Sequence, residues 1–224
     1  MAVAGAMSRR AIVAGATGLV GGLLVEQLCA CPEYDEVVAL ARRQGSRTHK
    51  KLSWRIVDFA ALPELTQADV FCALGTTIKR AGSKEAFWKV DHDFVVRLAK
   101  RAKQAGAPRF LLVSALGADE HSKLFYNQVK GTTERDVLGL GLAQVCIFRP
   151  SLLVGEREER RFGEGLASLA LRAFEPLMRA GLSKYRPVAA AVVARAMLRV
   201  ALDDGLAPGQ HCFESDRIAE LGAS

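Results

Sequence analysis

The feature that most restricts what this chain can fold into is a glycine triplet near its start. Gly15-Ala-Thr-Gly-Leu-Val-Gly21 follows the apolar run Arg10 to Ala14, and from within it Leu19, Leu23, Leu24 and Leu28 recur at helical spacing and end before Pro32. A buried strand, a glycine turn and an amphipathic helix in succession read as the opening of a βαβ unit. In that setting each glycine has its own task. The first permits the tight turn, the second lets backbone approach a pyrophosphate, and the third lets the helix lie close on the strand. Unpaired N–H groups at the helix start, those of Leu19 and Val20 among them, then face an anion. Thr17 offers a hydroxyl donor beside them.

The alternation continues to about residue 150. Glu36 to Ala41, Leu52 to Val57, Val70 to Leu74, Phe110 to Val113 and Val145 to Phe148 read as strands. Ser83 to Gly106, with Ser83 as N-cap and Gly106 as stop, and Lys123 to Leu138 read as helices. The strands are near-continuous apolar runs, the pattern of a parallel sheet covered on both faces. Right-handed crossovers make such a sheet doubly wound, a Rossmann sheet of the α/β class. Beyond residue 150, Phe162 to Ala180 and Val188 to Leu202 read as helices and Gln210 to Glu214 as a last short strand. The expected organisation is a single NAD(P)-binding domain over 1–224. Its dinucleotide-binding core covers 8–150, and a small, mostly helical C-terminal cap on the substrate side covers 151–224.

Composition narrows the function class. The 224 residues carry 31 Lys and Arg against 24 Asp and Glu, so 31 − 24 gives +7. These bases are scattered and often alternate with acids, as in Glu156-Arg-Glu-Glu-Arg-Arg161, with no zinc-finger spacing and no aromatic RNP stripe, so a nucleic-acid partner is not expected. The longest apolar run, Val188 to Ala194, falls far below the roughly 20 residues of a membrane span. Ser8-Arg9-Arg10 before the apolar run Ala11 to Val25 superficially resembles a targeting leader. That run carries glycines at functional spacing, however, and no A-x-A site follows. The five cysteines form no CxxC pair, which argues for buried thiols in a reducing compartment, a cytoplasmic protein and no zinc site. His92 between Asp91 and Asp93 has no second histidine near and reads as a helix-surface cluster, while Phe87, Trp88 and Phe94 read as core.

Two further constellations carry chemistry. An NAD-preferring site usually ends its second strand in Asp or Glu, roughly 20 residues on from the glycines. Here that position reads Ala41-Arg42-Arg43, and two guanidinium groups match a 2′-phosphate in charge and fork geometry, favouring NADP(H). Tyr126 and Lys130 stand at i, i+4 on a predicted helix, where an ammonium lowers a neighbouring phenol's pKa toward the useful range. Ser114 ends the fifth strand, and the carboxyl end of a parallel strand faces the ligand crevice.

These residues carry a resemblance. The chain is similar to the short-chain dehydrogenase/reductase superfamily of the atypical type, and more closely to its Tat-interacting, CC3-like oxidoreductase group. Beside the glycine turn, the matching stretches are Ala41-Arg-Arg43, Val57-Asp-Phe59, Ala73-Leu-Gly-Thr-Thr77, Lys89-Val-Asp-His-Asp93, Gly117-Ala-Asp119, Tyr126-Asn-Gln-Val-Lys-Gly131 and Phe148-Arg-Pro150. The resemblance implies an NADPH-binding Rossmann domain with Ser114, Tyr126 and Lys130 as the catalytic set. It implies Arg42 and Arg43 at the 2′-phosphate and Asp58 near the adenine. Leu74, Gly75 and Thr76 would line the cofactor, with Pro150, Leu153 and Arg161 toward the nicotinamide end or the phosphates. Two departures stand out: Leu74-Gly-Thr-Thr77 replaces the Asn-Ala-Gly run of many members, and the roughly 100-residue substrate domain of the extended type is missing. The expected activity is NADPH-dependent hydride transfer to a small-molecule carbonyl substrate. The alternative is an NADPH-binding redox-sensing or regulatory protein with little turnover and a protein partner. Oligomeric state, substrate identity and hydride direction are left open.

Overall fold

A computed structural model describes residues 9–154 and 186–223. The helix expected over Phe162 to Ala180, and Arg161, lie outside these described residues. The chain runs β1 (Arg9–Ala14), α1 (Leu19–Ala30), β2 (Tyr34–Ala41), β3 (Leu52–Ile56), β4 (Asp69–Cys72), α2 (Ile78–Ala81) and α3 (Lys84–Trp88). A π-helical turn (Lys89–Asp93) leads into α4 (Phe94–Gln104), β5 (Phe110–Val113), α5 (Phe125–Leu138), β6 (Gln144–Arg149) and β7 (Leu153–Val154). Among the residues from 186 on come β8 (Val188–Ala189), α6 (Ala190–Leu202), β9 (Gly209–Glu214) and α7 (Ser215–Ala223). Seven strands form one parallel sheet in the order β3-β2-β1-β4-β5-β6-β9, and β7 pairs with β8. This is the doubly wound Rossmann sheet that the strand pattern predicts.

The apolar strands bury both faces. Along β1, Ala11 and Val13 point into one core and Ile12 and Ala14 into the other. The same alternation divides β5 and β6, with Leu111, Cys146 and Phe148 on the first side and Phe110, Leu112, Val145 and Ile147 on the second. The first core is closed by α1 and α6 through Leu24, Leu28, Val193 and Met197, and the second by α4 and α5 through Val95, Leu98 and Val137. Each fully buried large side chain of this kind stabilises the fold by about 1.5–3 kcal/mol.

Several boundaries differ from expectation. β4 ends at Cys72, and one further ladder bond, from the Ala73 N–H to the Ala14 carbonyl (2.9 Å), precedes the loop that follows. The predicted helix Ser83 to Gly106 starts and stops as expected: Ser83 Oγ accepts from the Ala86 N–H at 3.0 Å and Gly106 has φ +65°. Its middle, however, is the π turn. The segment Thr76 to Lys84 contains the four-residue α2, capped by Thr77, whose Oγ1 accepts from the Arg80 N–H at 3.1 Å. Val188 and Ala189 begin the predicted last long helix as a strand, pairing with Leu153 and Val154.

Candidate functional site

The strand order reverses between β1 and β4, where a doubly wound sheet opens a crevice beyond the carboxyl ends of its strands. A cleft of about 680 Å³ lies there. Its first wall is the glycine turn. Gly15 holds φ +83°, and a Cβ on it would lie 2.3 Å from the Ala73 carbonyl oxygen. A Cβ on Gly21 would lie 2.2 Å from the Gly15 carbonyl oxygen, so helix and turn touch backbone to backbone. Gly18 caps α1 with no side-chain hydrogen bond. The first-turn N–H groups of a helix have no intrahelical partner, and Gly18, Leu19 and Val20 line the cleft. An open helix start beside a roomy cleft fits an anionic dinucleotide.

The opposite wall comes from β5 and α5. The Ser114 N–H donates to the Phe148 carbonyl at 2.7 Å, which continues the sheet ladder one residue beyond β5. Its Oγ is buried, lines the cleft and has no hydrogen-bond partner among the described residues. α5 carries Tyr126 and Lys130. It is fastened to β6 by the buried Glu134, which accepts from Arg149 Nε at 3.1 Å. The Tyr126 ring leans on Phe87, with centroids 5.7 Å apart, and stays 39% exposed.

Lys130 is buried at 6% exposure, and its Nζ lies 2.8 Å from Asp91 Oδ1. Burial by itself pushes the ammonium's pKa down. The Asp91 carboxylate, with the Tyr126 phenol, more than offsets this, and the net direction is up. Asp91 Oδ2 accepts from the Thr76 N–H at 2.9 Å, which joins the loop after β4 to the same pair. The reading of Asp91 as part of a helix-surface cluster is therefore corrected: the π turn aims it inward, and it is 1% exposed. The signal was present, since Phe87, Asp91, Val95 and Leu98 share one buried helical stripe. His92 instead bridges Asp93 (2.8 Å) and Asp136 (2.9 Å), joining the π turn to α5. No cluster of potential metal ligands occurs among the described residues.

One cleft thus gathers Gly18, Leu19, Val20, Leu74, Gly75, Thr76, Ser114, Tyr126, Lys130, Pro150 and Leu153. Gly15, Thr17 and Gly21 belong to the turn behind it. Three predicted contacts stand apart from its lining. Arg42 and Arg43 are exposed just past the carboxyl end of β2, and Asp58 sits in the turn after β3, where Oδ1 accepts from the Ala60 N–H at 2.8 Å. The Arg47 guanidinium lies over α1, 2.9 Å from where a Cβ on Gly22 would be, a third cation on this side that the sequence reading passed over.

Residues 15–138 match a family of NAD(P)H-binding proteins. The chain is 34% identical over 224 residues to protein HTATIP2 of Rattus norvegicus, covering 96% of this chain and 90% of the relative. It is 38% identical over 159 residues to the mitochondrial protein FMP52 of Eremothecium gossypii, covering 69% and 71%. Among solved structures, MoeE5 in complex with UDP-glucuronic acid and NAD superposes with a TM-score of 0.69 at 19% identity, covering 96% of this chain and 81% of that one. The expectation of a cytoplasmic protein is corrected by these relatives, since FMP52 is mitochondrial by name. Cys29, Cys31, Cys72 and Cys146 are buried and unpaired, as expected, whereas Cys212 is exposed; free thiols speak of reducing surroundings, and that chemistry does not single out the cytoplasm.

Proposed function

The chain belongs to the NAD(P)H-binding family, and on that premise we propose that it is an NADPH-dependent oxidoreductase of the short-chain dehydrogenase/reductase type that acts on a small-molecule carbonyl compound. Its fold is that of NAD(P)-binding oxidoreductases. The bound nicotinamide supplies the hydride. The first-turn N–H groups of α1 hold the diphosphate, and Arg42 and Arg43 take the 2′-phosphate, for which forked guanidinium donors are suited. Asp58 lies toward the adenine, and Gly75, Thr76, Pro150 and Leu153 flank the nicotinamide half. Ser114 Oγ donates to the substrate carbonyl, Tyr126 gives its phenolic proton to the carbonyl oxygen, and Lys130 bonds the ribose hydroxyls. Positioning and acid catalysis supply the rate.

The observation that carries this reading is the Ser114 hydroxyl, buried without a partner in the same cleft as Tyr126 and Lys130. A native fold seldom leaves such a group unsatisfied unless a ligand completes it. Two measurements test the proposal. Titration following nicotinamide fluorescence should give tight NADPH binding that Arg42→Ala weakens while NADH binding stays unchanged. In a carbonyl-substrate screen, Tyr126→Phe should lower kcat by about 10²–10⁴-fold with cofactor affinity kept. Equal affinity for NADPH and NADH in both proteins refutes the NADP assignment, and full activity of Tyr126→Phe refutes the mechanism.

A further inference from the structure

We infer that Asp91 is a positioning residue whose buried carboxylate keeps Lys130 charged and fixed in place, and ties that ammonium to the Gly75-Thr76 turn across the cleft. The inference rests on the role given to Lys130 above. An ammonium at 6% exposure cannot draw on water for its solvation, and the 2.8 Å contact with Asp91 replaces what burial removes. The second carboxylate oxygen takes the Thr76 N–H at 2.9 Å. The backbone device is the π turn, which inserts its extra residue where the carboxylate has to point inward. The Asp91 carbonyl lies 3.0 Å from Thr133 Oγ1 of α5, so the peptide itself is held against the helix that carries Lys130.

Three titratable groups face Lys130: Asp91 from the π turn, Tyr126 from its own helix and Cys72 from β4. His92 faces Asp93 and Asp136 instead. Asp91→Asn removes the only carboxylate in the set. The buried amine then releases its proton more readily in the folded than in the unfolded chain, so folding stability rises with pH. Cofactor binding, which uses the protonated amine, falls with pH. A side chain that merely fills space moves neither quantity with pH, and certainly not in opposite directions.

The experiment compares full-length native protein with Asp91→Asn from pH 6 to 9, measuring thermal midpoints without cofactor and NADPH affinity by fluorescence. The variant's Tm deficit should be largest at pH 6 and shrink toward pH 9. Its NADPH Kd, relative to native, should rise at least tenfold over the same range. Adding Lys130→Met should abolish both trends. A pH-independent Tm deficit with uniformly weakened binding overturns the inference, as does either trend persisting in the double variant. If Asp91→Asn fails to fold, recovery of folding in Asp91→Asn/Lys130→Met supports charge compensation, and failure of both refutes it. Native protein that binds no NADPH would sink the proposed function while leaving the thermal arm to decide this inference.

Discussion

The two edges of the sheet each bury a carboxylate against a cation, and they do different things with it. At the amino edge, Asp69 accepts from the Tyr34 hydroxyl at 2.7 Å and lies 3.6 Å from Arg109 Nη1. Arg109 also reaches Asp204 at 3.0 Å, and Arg9 meets Asp204 at 2.6 Å, so four strands and the end of α6 are drawn together. These groups face one another away from the cleft, and Asp69 Oδ1 and Arg109 Nε are buried without a hydrogen-bond partner among the described residues. At the carboxyl edge, Asp91 and Lys130 make an equally buried pair, but the surroundings are open: Ser114 Oγ lacks a partner and Tyr126 reaches solvent. Burial pushes the Asp69 pKa up, and its partners pull it back only in part, whereas the Lys130 ammonium is held up against burial. A network whose charged groups face one another away from the cleft serves to hold the sheet. One with a vacant donor and an exposed phenol is organised toward a ligand.

The largest effect that would sharpen this contrast is at the amino edge. Asp69→Ala strands the Tyr34 hydroxyl and leaves the half-buried Arg109 guanidinium only the exposed Asp204, and denaturant unfolding should show a loss of about 3–5 kcal/mol. NADPH affinity of the folded fraction should be unchanged. A parallel loss of affinity would break the division of labour. Gly21→Ala should reverse the pattern. Its Cβ would meet the Gly15 carbonyl at 2.2 Å, so overpacking should cost about 1–3 kcal/mol and NADPH binding should fall at least tenfold.

A third prediction uses two buried thiols, one near each edge. Burial pushes both Cys72, near Lys130, and Cys146, near Asp69 and Arg109, up to about 12 from 9.0. A folded-state pKa above the unfolded value gives stability that is complete below pH 9 and lost as pH rises toward 12. Equilibrium unfolding should therefore weaken over that window, and Cys72→Ala and Cys146→Ala should each flatten part of the decline. An unchanged slope in both variants would show that the thiols are not the cause. The smallest effect is expected for Asp204→Ala. This carboxylate is solvent-exposed, and water and salt screen its pairs with Arg9 and Arg109. Its Tm should fall far less than that of Asp69→Ala, and a comparable fall would mean that the amino-edge network depends on its exposed member.

Much of this was legible before any coordinates. The parallel sheet follows from the apolar strands between amphipathic helices, and Gly15, Gly18 and Gly21 locate the crevice because only the backbone contacts they permit let α1 sit on β1. Tyr126 and Lys130 share a helix face by spacing alone, and Ser114 stands at a strand end that can be read directly. These are relations within one element or across one turn, where residue spacing sets geometry. What the sequence by itself did not determine lies between elements. Helical spacing places Asp91 on the stripe of Phe87, Val95 and Leu98, but does not set its meeting with Lys130 from another helix and Thr76 from another loop. The unpartnered Ser114 hydroxyl in the cleft, the place of Arg47 over Gly22 and the ion-pair network at Asp69 likewise depend on strand order and on how helices dock. Periodicity records which side of an element is buried. Only tertiary structure decides which buried polar groups meet, because a short-range interaction requires atoms to come within a few ångströms after the whole sheet has formed.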